Sequence, residues 1–242
     1  MQHTIFELRR YRLRPDAREL LLDVFEREFV ETQEELGIGL PAFYRDLDDP
    51  NAFVWVRSFA NMQARAGALA AFYSGPVWKA HGAAANATMV NSDNVLLLRP
   101  ASPWPAFAAN SSTRPPVGAS SVPAGLTTIT SCSLAPGSAE KFADLFEREA
   151  RKLIEAAGAR VDGMFITETS ANTFPRLPVR EGETVFVWFS TFASRLAYED
   201  YLARLTDSEV WRSKVFPMLD QEVWRAMETV RLTPTARSLG VW

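Results

Sequence analysis

A six-residue run recurs in this chain with one position changed, Val24 to Leu145. Asp23-Val24-Phe25-Glu26-Arg27-Glu28 returns as Asp144-Leu145-Phe146-Glu147-Arg148-Glu149, 121 positions later, and Pro15 and Pro136 share that offset. Phe53-Val54-Trp55-Val56 then matches Phe186-Val187-Trp188-Phe189 at an offset of 133, as Val77-Trp78-Lys79 matches Val210-Trp211-Arg212. Residues 95–100 resemble 229–234 at an offset of 134. Matches in one order with one jump in offset describe a tandem duplication with an insertion in the second copy. A repeat fixes the folding unit before any other consideration. The unit here is roughly 100 residues, an ordinary domain size, so the 242 residues divide into two domains.

Each unit reads the same way. Residues 4–13 form a strand closed by Pro15, and Pro15-Asp16 starts a helix reaching about Leu36. Leu21, Val24, Phe25, Phe29 and Leu36 give that helix its apolar stripe. Strands follow at 40–47 and 52–59, joined by a tight turn at 48–51. The strand 52–59 is apolar at both parities, so both its faces are covered; Arg57 interrupts one face and needs a partner. Asn61 caps a helix from Met62 to Tyr73. Pro76 starts another to about Met89, and residues 95–99 are the fourth strand. The order β-α-β-β-α-β is the ferredoxin-like, split βαβ unit.

The second copy repeats it with strands at 125–134, 161–169, 184–192 and 230–233. Its helices span 139–157 and 193–205, with one more from Glu209 kinked or broken at Pro217. The insertion is 170–183, where Pro175, Pro178 and Gly182 make a long hairpin loop. The domains are therefore 1–100 and 125–236. Between them, 101–124 is a proline-rich linker, anchored by Trp104 and Phe107. Residues 237–242 are a tail that Trp242 docks.

Net charge is −3 with both signs interspersed, which argues against a nucleic-acid groove or a membrane-surface patch. No apolar run approaches the ~18 residues of a bilayer span. No secretory h-region follows Met1-Gln2-His3, so a soluble cytoplasmic protein is expected. The single cysteine, Cys132, excludes an intramolecular disulfide; in a strand it reads as a small buried residue. There is no glycine-rich phosphate loop, metal-spaced His/Cys cluster or nucleophile elbow.

Five stretches resemble the NIPSNAP family. They are Glu7-Leu8-Arg9-Arg10-Tyr11, Phe25-Glu26-Arg27-Glu28-Phe29, Tyr44-Arg45-Asp46-Leu47-Asp48-Asp49-Pro50, Phe53-Val54-Trp55 and Gly75-Pro76-Val77-Trp78-Lys79-Ala80-His81. The resemblance covers residues 4–100 well and 125–234 weakly. It implies an α+β fold in which two tandem ferredoxin-like domains form a dimeric α+β barrel within the chain. The sheets would pack face to face with the helices outside. It supplies no agreed reaction. Barrels of this superfamily can hold haem on a helix histidine, but no matching motif accompanies His81, and no cofactor or metal is expected.

The first copy carries a polar set that the second lacks. Arg9, Tyr11, Tyr44, Arg45 and His81 correspond to Thr130, Cys132, Phe165, Ile166 and Lys214. One reading is an anion- or carbonyl-binding pocket. Tyr44 and His81 would be catalytic there, and Arg9, Tyr11, Arg45, Arg57, Trp78 and Asn86 would bind substrate. The other reading pairs the arginines with Glu7, Asp46 and Asp48 on solvated edges, makes His81 a helix residue and gives Trp78 and Trp211 a shared packing role. The leading hypothesis is a cofactor-free small-molecule enzyme of the oxygenase, isomerase or lyase type, acting on a modest apolar or aromatic carbonyl or acid. The alternative is a non-catalytic binding or assembly protein with a filled barrel. Open edges at the fourth strands would favour a homodimer.

Overall fold

The computed structural model describes residues 2–101, 107 and 113–239. The first half runs β1 (Ile5–Leu13), α1, β2 (Gly39–Asp46), β3 (Ala52–Phe59), α2 (Met62–Ser74), α3 (Pro76–Thr88), β4 (Met89–Asn91) and β5 (Val95–Pro100). The second runs β6 (Leu126–Leu134), α4, β7 (Arg160–Thr167), β8 (Thr184–Phe192), α5 (Arg195–Asp207), α6 and β9 (Glu228–Pro234). Asn61 and Ser194 cap α2 and α5 by accepting from the amides of Ala64 and Ala197, so the two helices start at equivalent places. The short β4, which pairs with the end of β1, has no signal in the sequence.

Helix α1 has three segments, Arg18–Val24, a π-helical turn at Phe25–Phe29, and Val30–Glu35. Helix α4 has the same build: Ala139–Leu145, a π turn at Phe146–Ala150, and Arg151–Ala157. The duplicated hexapeptide is therefore where both helices widen. A π turn leaves a backbone carbonyl without its usual helical partner. In α1 the Glu26 carbonyl accepts from Arg237, in the segment after β9. Helix α6 widens at Trp211–Val215 and continues as Phe216–Asp220. The wider turn accommodates Pro217, whose ring and missing N–H would otherwise kink the helix.

Eight strands close on themselves in the order β3-β2-β9-β6-β8-β7-β5-β1, with β1 returning to β3. Every pairing is antiparallel. The halves join at two seams, β2 with β9 (Tyr44↔Pro234) and β5 with β7 (Leu98↔Thr167). This is the dimeric α+β barrel expected, built within one chain. The open edges expected at the fourth strands are absent, because β5 and β9 are each paired on both sides. A homodimer therefore loses its edge-to-edge rationale.

Strand alternation sorts the core into three layers. Phe53, Trp55 and Phe59 pack under α1 and α2, and Phe186 and Trp188 pack under α4. Val54, Val56, Val185, Val187 and Phe189 point into the barrel. Every residue of β3 is buried, as its two apolar faces require. The barrel is filled by side chains. Phe107 enters it from the linker, its ring 5.9, 5.2 and 5.0 Å from those of Phe6, Phe165 and Phe189. A space of about 50 Å³ remains at one end, beside Leu8, Val54, Leu96 and Val230. Trp104 and Trp242 lie outside the described residues.

Candidate functional site

The outer face of β1 carries Glu7, Arg9 and Tyr11, and that of β3 carries Trp55 and Arg57. The antiparallel register sets Glu7 opposite Arg57 and Arg9 opposite Trp55. Arg65 enters from α2, on the stripe it shares with Leu69 and Phe72, all three buried. The Glu7 carboxylate accepts from Arg9 Nη1 (2.5 Å), Arg57 Nε (2.6 Å) and Arg65 Nε (2.6 Å). All four side chains are at most 1% exposed. Burial alone would raise the Glu7 carboxyl, but Arg57, Arg9 and Arg65 together hold it far below the usual carboxylate range. Arg9 Nε donates to the Tyr11 hydroxyl at 2.9 Å, and burial keeps that phenol above its ordinary value.

One carboxylate thus faces three guanidiniums in a layer buried from the surface. Arg57 Nη1 and Nη2, Arg65 Nη2 and the Trp55 indole Nε1 are buried with no protein partner. Buried donors are almost always paired, and leaving one unpaired costs about 1–3 kcal/mol, more when it is charged. Four in one layer, with guanidinium in excess of carboxylate, mark this place as different from ordinary core; the Arg57 guanidinium lies 5.4 and 5.6 Å from the Trp55 and Phe59 rings, which offset part of its charge.

The second half supplies its cover. Arg65 Nη1 donates to Asn172 Oδ1 (2.9 Å) and Thr173 Oγ1 (3.2 Å) in the inserted hairpin. Thr173 Oγ1 donates to the Met62 carbonyl. Phe174 stacks on Tyr73 at 5.9 Å, the Arg176 guanidinium sits 5.8 Å from the same Tyr73 ring, and Leu177 and Val179 pack into the first half's core. Asn172 organises the hairpin, donating to the Leu177 carbonyl and accepting from the Phe174 amide. Leu97 is the register partner of Glu7 on its other side. It also lines a groove of about 420 Å³ formed with hairpin residues 179–183.

In the second half the equivalent pairing is Thr128↔Ser190, and Tyr198 stands where α2 has Arg65. Hydroxyls replace the ionic layer, so the cluster exists once.

The residues singled out from sequence fall in different places. Arg9, Tyr11 and Arg57 belong to the cluster. Trp78 packs behind it on Phe29, Phe72 and Tyr73, at 5.5, 5.7 and 4.5 Å. Gly82 leaves room for that indole, since a Cβ there would lie 2.6 Å from the ring. Tyr44 points into the barrel, fully buried, and burial raises its phenol well above the ordinary range. Arg45 makes a two-pronged pair with Glu19 at the surface. Asn86 is exposed on α3. His81 is 39% exposed, its Nε2 3.4 Å from Glu28. Its counterpart Lys214 reaches Glu149 at 3.1 Å, so both halves place a helix-to-helix polar contact here. Tyr44, Arg45 and His81, expected in one pocket, lie on three separate surfaces.

Sequence reasoning missed Glu7, Arg65, Asn172 and Thr173 as site residues. Glu7 shares its parity with Arg9, and Arg65 shares the stripe of Leu69 and Phe72; both signals were present. Nothing local tied the hairpin to the other half.

Residues 6–103 match the NIPSNAP family model. The first half is a NIPSNAP domain. The NIPSNAP half thus holds the ionic layer, and the residues that cover it come from outside the matched segment. Across nearly its full length the chain resembles solved structures. An anthrone oxidase-like protein matches with a TM-score of 0.62 at 11% identity, over 97% of this chain and 92% of that one. A putative monooxygenase from Lactobacillus acidophilus gives 0.57 at 12%, over 96% and 94%. Another from Fusobacterium nucleatum gives 0.55 at 9%, over 97% and 93%. At these identities the likeness is one of fold. No curated protein matches the chain.

Proposed function

We propose that this protein is a cofactor-free small-molecule enzyme of the oxygenase, isomerase or lyase type, with its site in the buried Glu7–Arg9–Arg57–Arg65 layer of the NIPSNAP half. The observation that carries this reading is the excess of guanidinium over carboxylate, with donors left unpaired. Such a layer is costly to bury, and the second half builds the same position from neutral hydroxyls. Fixed positive charge in a site without water stabilises an anion formed from substrate. Chemistry beside a carbonyl or on a phenolic ring needs that stabilisation. Tyr11, Trp55, Tyr73 and Phe174 are the rings that an apolar or aromatic body would meet once the hairpin contacts open. The oxygenase type is preferred because neighbours of the same fold are called monooxygenases and anthrone oxidase-like.

The test is oxygen uptake and product mass for the purified chain across aromatic acids, ketones and phenols. Turnover that is lost in Arg57→Met and kept in His81→Ala supports the reading. Turnover indifferent to Arg57→Met overturns it. The filled barrel favours a second reading, a binding protein without turnover; it predicts ligand binding at the same layer and no product. A homodimer in either case would have to use helix surfaces, because both fourth strands are already paired.

A further inference from the structure

Resting on that reading, we infer that the ligand of this layer is an aromatic carboxylate, held end-on by Arg57 and covered by the hairpin from the second half. Arg57 meets Glu7 through Nε alone, which leaves both Nη groups unpaired. Two Nη groups on one rigid guanidinium form a planar fork, and its complement is a pair of coplanar oxygens on one atom. Arg65 spends Nε on Glu7 and Nη1 on Asn172 and Thr173, so its Nη2 remains as a third donor. Trp55 Nε1 is a fourth.

The balance of donors and acceptors decides the class. Among Glu7, Arg9, Trp55, Arg57 and Arg65, the unpaired buried atoms are all donors, while the unpaired Gln33 Oε1 sits on α1, where its amide nitrogen donates to the Phe29 carbonyl. A neutral amide or alcohol would bring N–H or O–H groups that nothing here receives. A carboxylate brings acceptors only. It also brings the negative charge that one glutamate among three arginines leaves wanting. The aromatic part follows from the side chains at the layer's edge. The Tyr11 ring lies 5.8 Å from that of Trp55, and Phe174 stacks on Tyr73. The donors are fully buried, so entry requires the contacts of Asn172, Thr173 and Phe174 to open.

The experiment is calorimetric titration of the full chain with benzoate, benzamide and phenylphosphonate, followed by the Trp indole N–H signals in ¹H–¹⁵N spectra. Trp55→Phe identifies its signal. Benzoate is expected to bind saturably and move the Trp55 signal, with benzamide roughly tenfold or more weaker, the size of one charge-assisted contact. Arg57→Met should weaken benzoate by a similar factor. If that variant fails to fold, Arg57→Lys keeps the charge without the fork and should weaken benzoate comparably. Benzamide binding as tightly as benzoate, with the same Trp55 shift, overturns the carboxylate while leaving a small-molecule site in place. Phenylphosphonate binding more tightly than benzoate reassigns the fork to a phosphate-type group and also overturns it. If no probe moves the Trp55 signal, the carboxylate and the ligand site at this layer both fall.

Discussion

Glu7 is the residue on which the ionic layer depends. Glu7→Gln removes the one counter-charge from three buried guanidiniums and should cost about 3–5 kcal/mol, read from urea unfolding at neutral pH. Because the folded-state carboxyl is held below its unfolded value, its contribution is present above the ordinary glutamate range. It is lost as pH falls below that range, so the gap between wild type and Glu7→Gln should narrow in acid. The second half shows how to remove the layer at less cost. Glu7→Thr, Arg9→Thr, Arg57→Ser and Arg65→Tyr combined reproduce its chemistry and should cost less than Glu7→Gln alone, while ligand binding disappears. His81→Lys copies the Lys214 pair and should stay within about 0.5 kcal/mol of wild type. Burial pushes the Cys132 thiol up to about 12, so it should resist alkylation at neutral pH until the protein is unfolded in urea. Arg9, Tyr11 and Arg57, members of the cluster, are legible as a polar set because their repeat partners or their apolar neighbours make them conspicuous. Nothing in the strand itself separates a buried Glu7 from an acid on a solvated edge, since burial depends on the helix laid over the strand.

Among the elements, the hairpin has the clearest consequence. Its Phe174 is half-buried and stacked on Tyr73, and Phe174→Ala should cost about 2 kcal/mol, below the usual loss for a fully buried phenylalanine. The same change should speed benzoate association, because less packing has to open. Stopped-flow tryptophan fluorescence reads both rates. Most strands and helices were legible from alternation, caps and prolines, and β3 and β8 match their expected bounds. The π turns were not, although the hexapeptide that forms them is the chain's most conspicuous repeat. Near-identity between two segments shows that they fold alike, not which hydrogen-bond register they take.

For the whole molecule, the two seams make each half depend on the other. Urea unfolding followed by far-ultraviolet circular dichroism and by tryptophan fluorescence should give one coincident transition. A fragment of residues 1–101 would expose the edges of β2 and β5 and should self-associate, visible by light scattering. The architecture was legible because a duplication and a strand apolar on both faces leave few ways to cover both sheets. The seams themselves were not, since the sequence does not show which strand edges meet.

The hairpin that shelters the NIPSNAP half is grown by the other half. In a barrel assembled from two identical chains, each feature must appear twice, so a cluster of arginines and the cap above it would be constrained together. Joining the copies in one polypeptide releases that symmetry. One copy can keep the chemistry while the other gives it up and lengthens a loop. Division of labour between former equals is what the fusion makes possible.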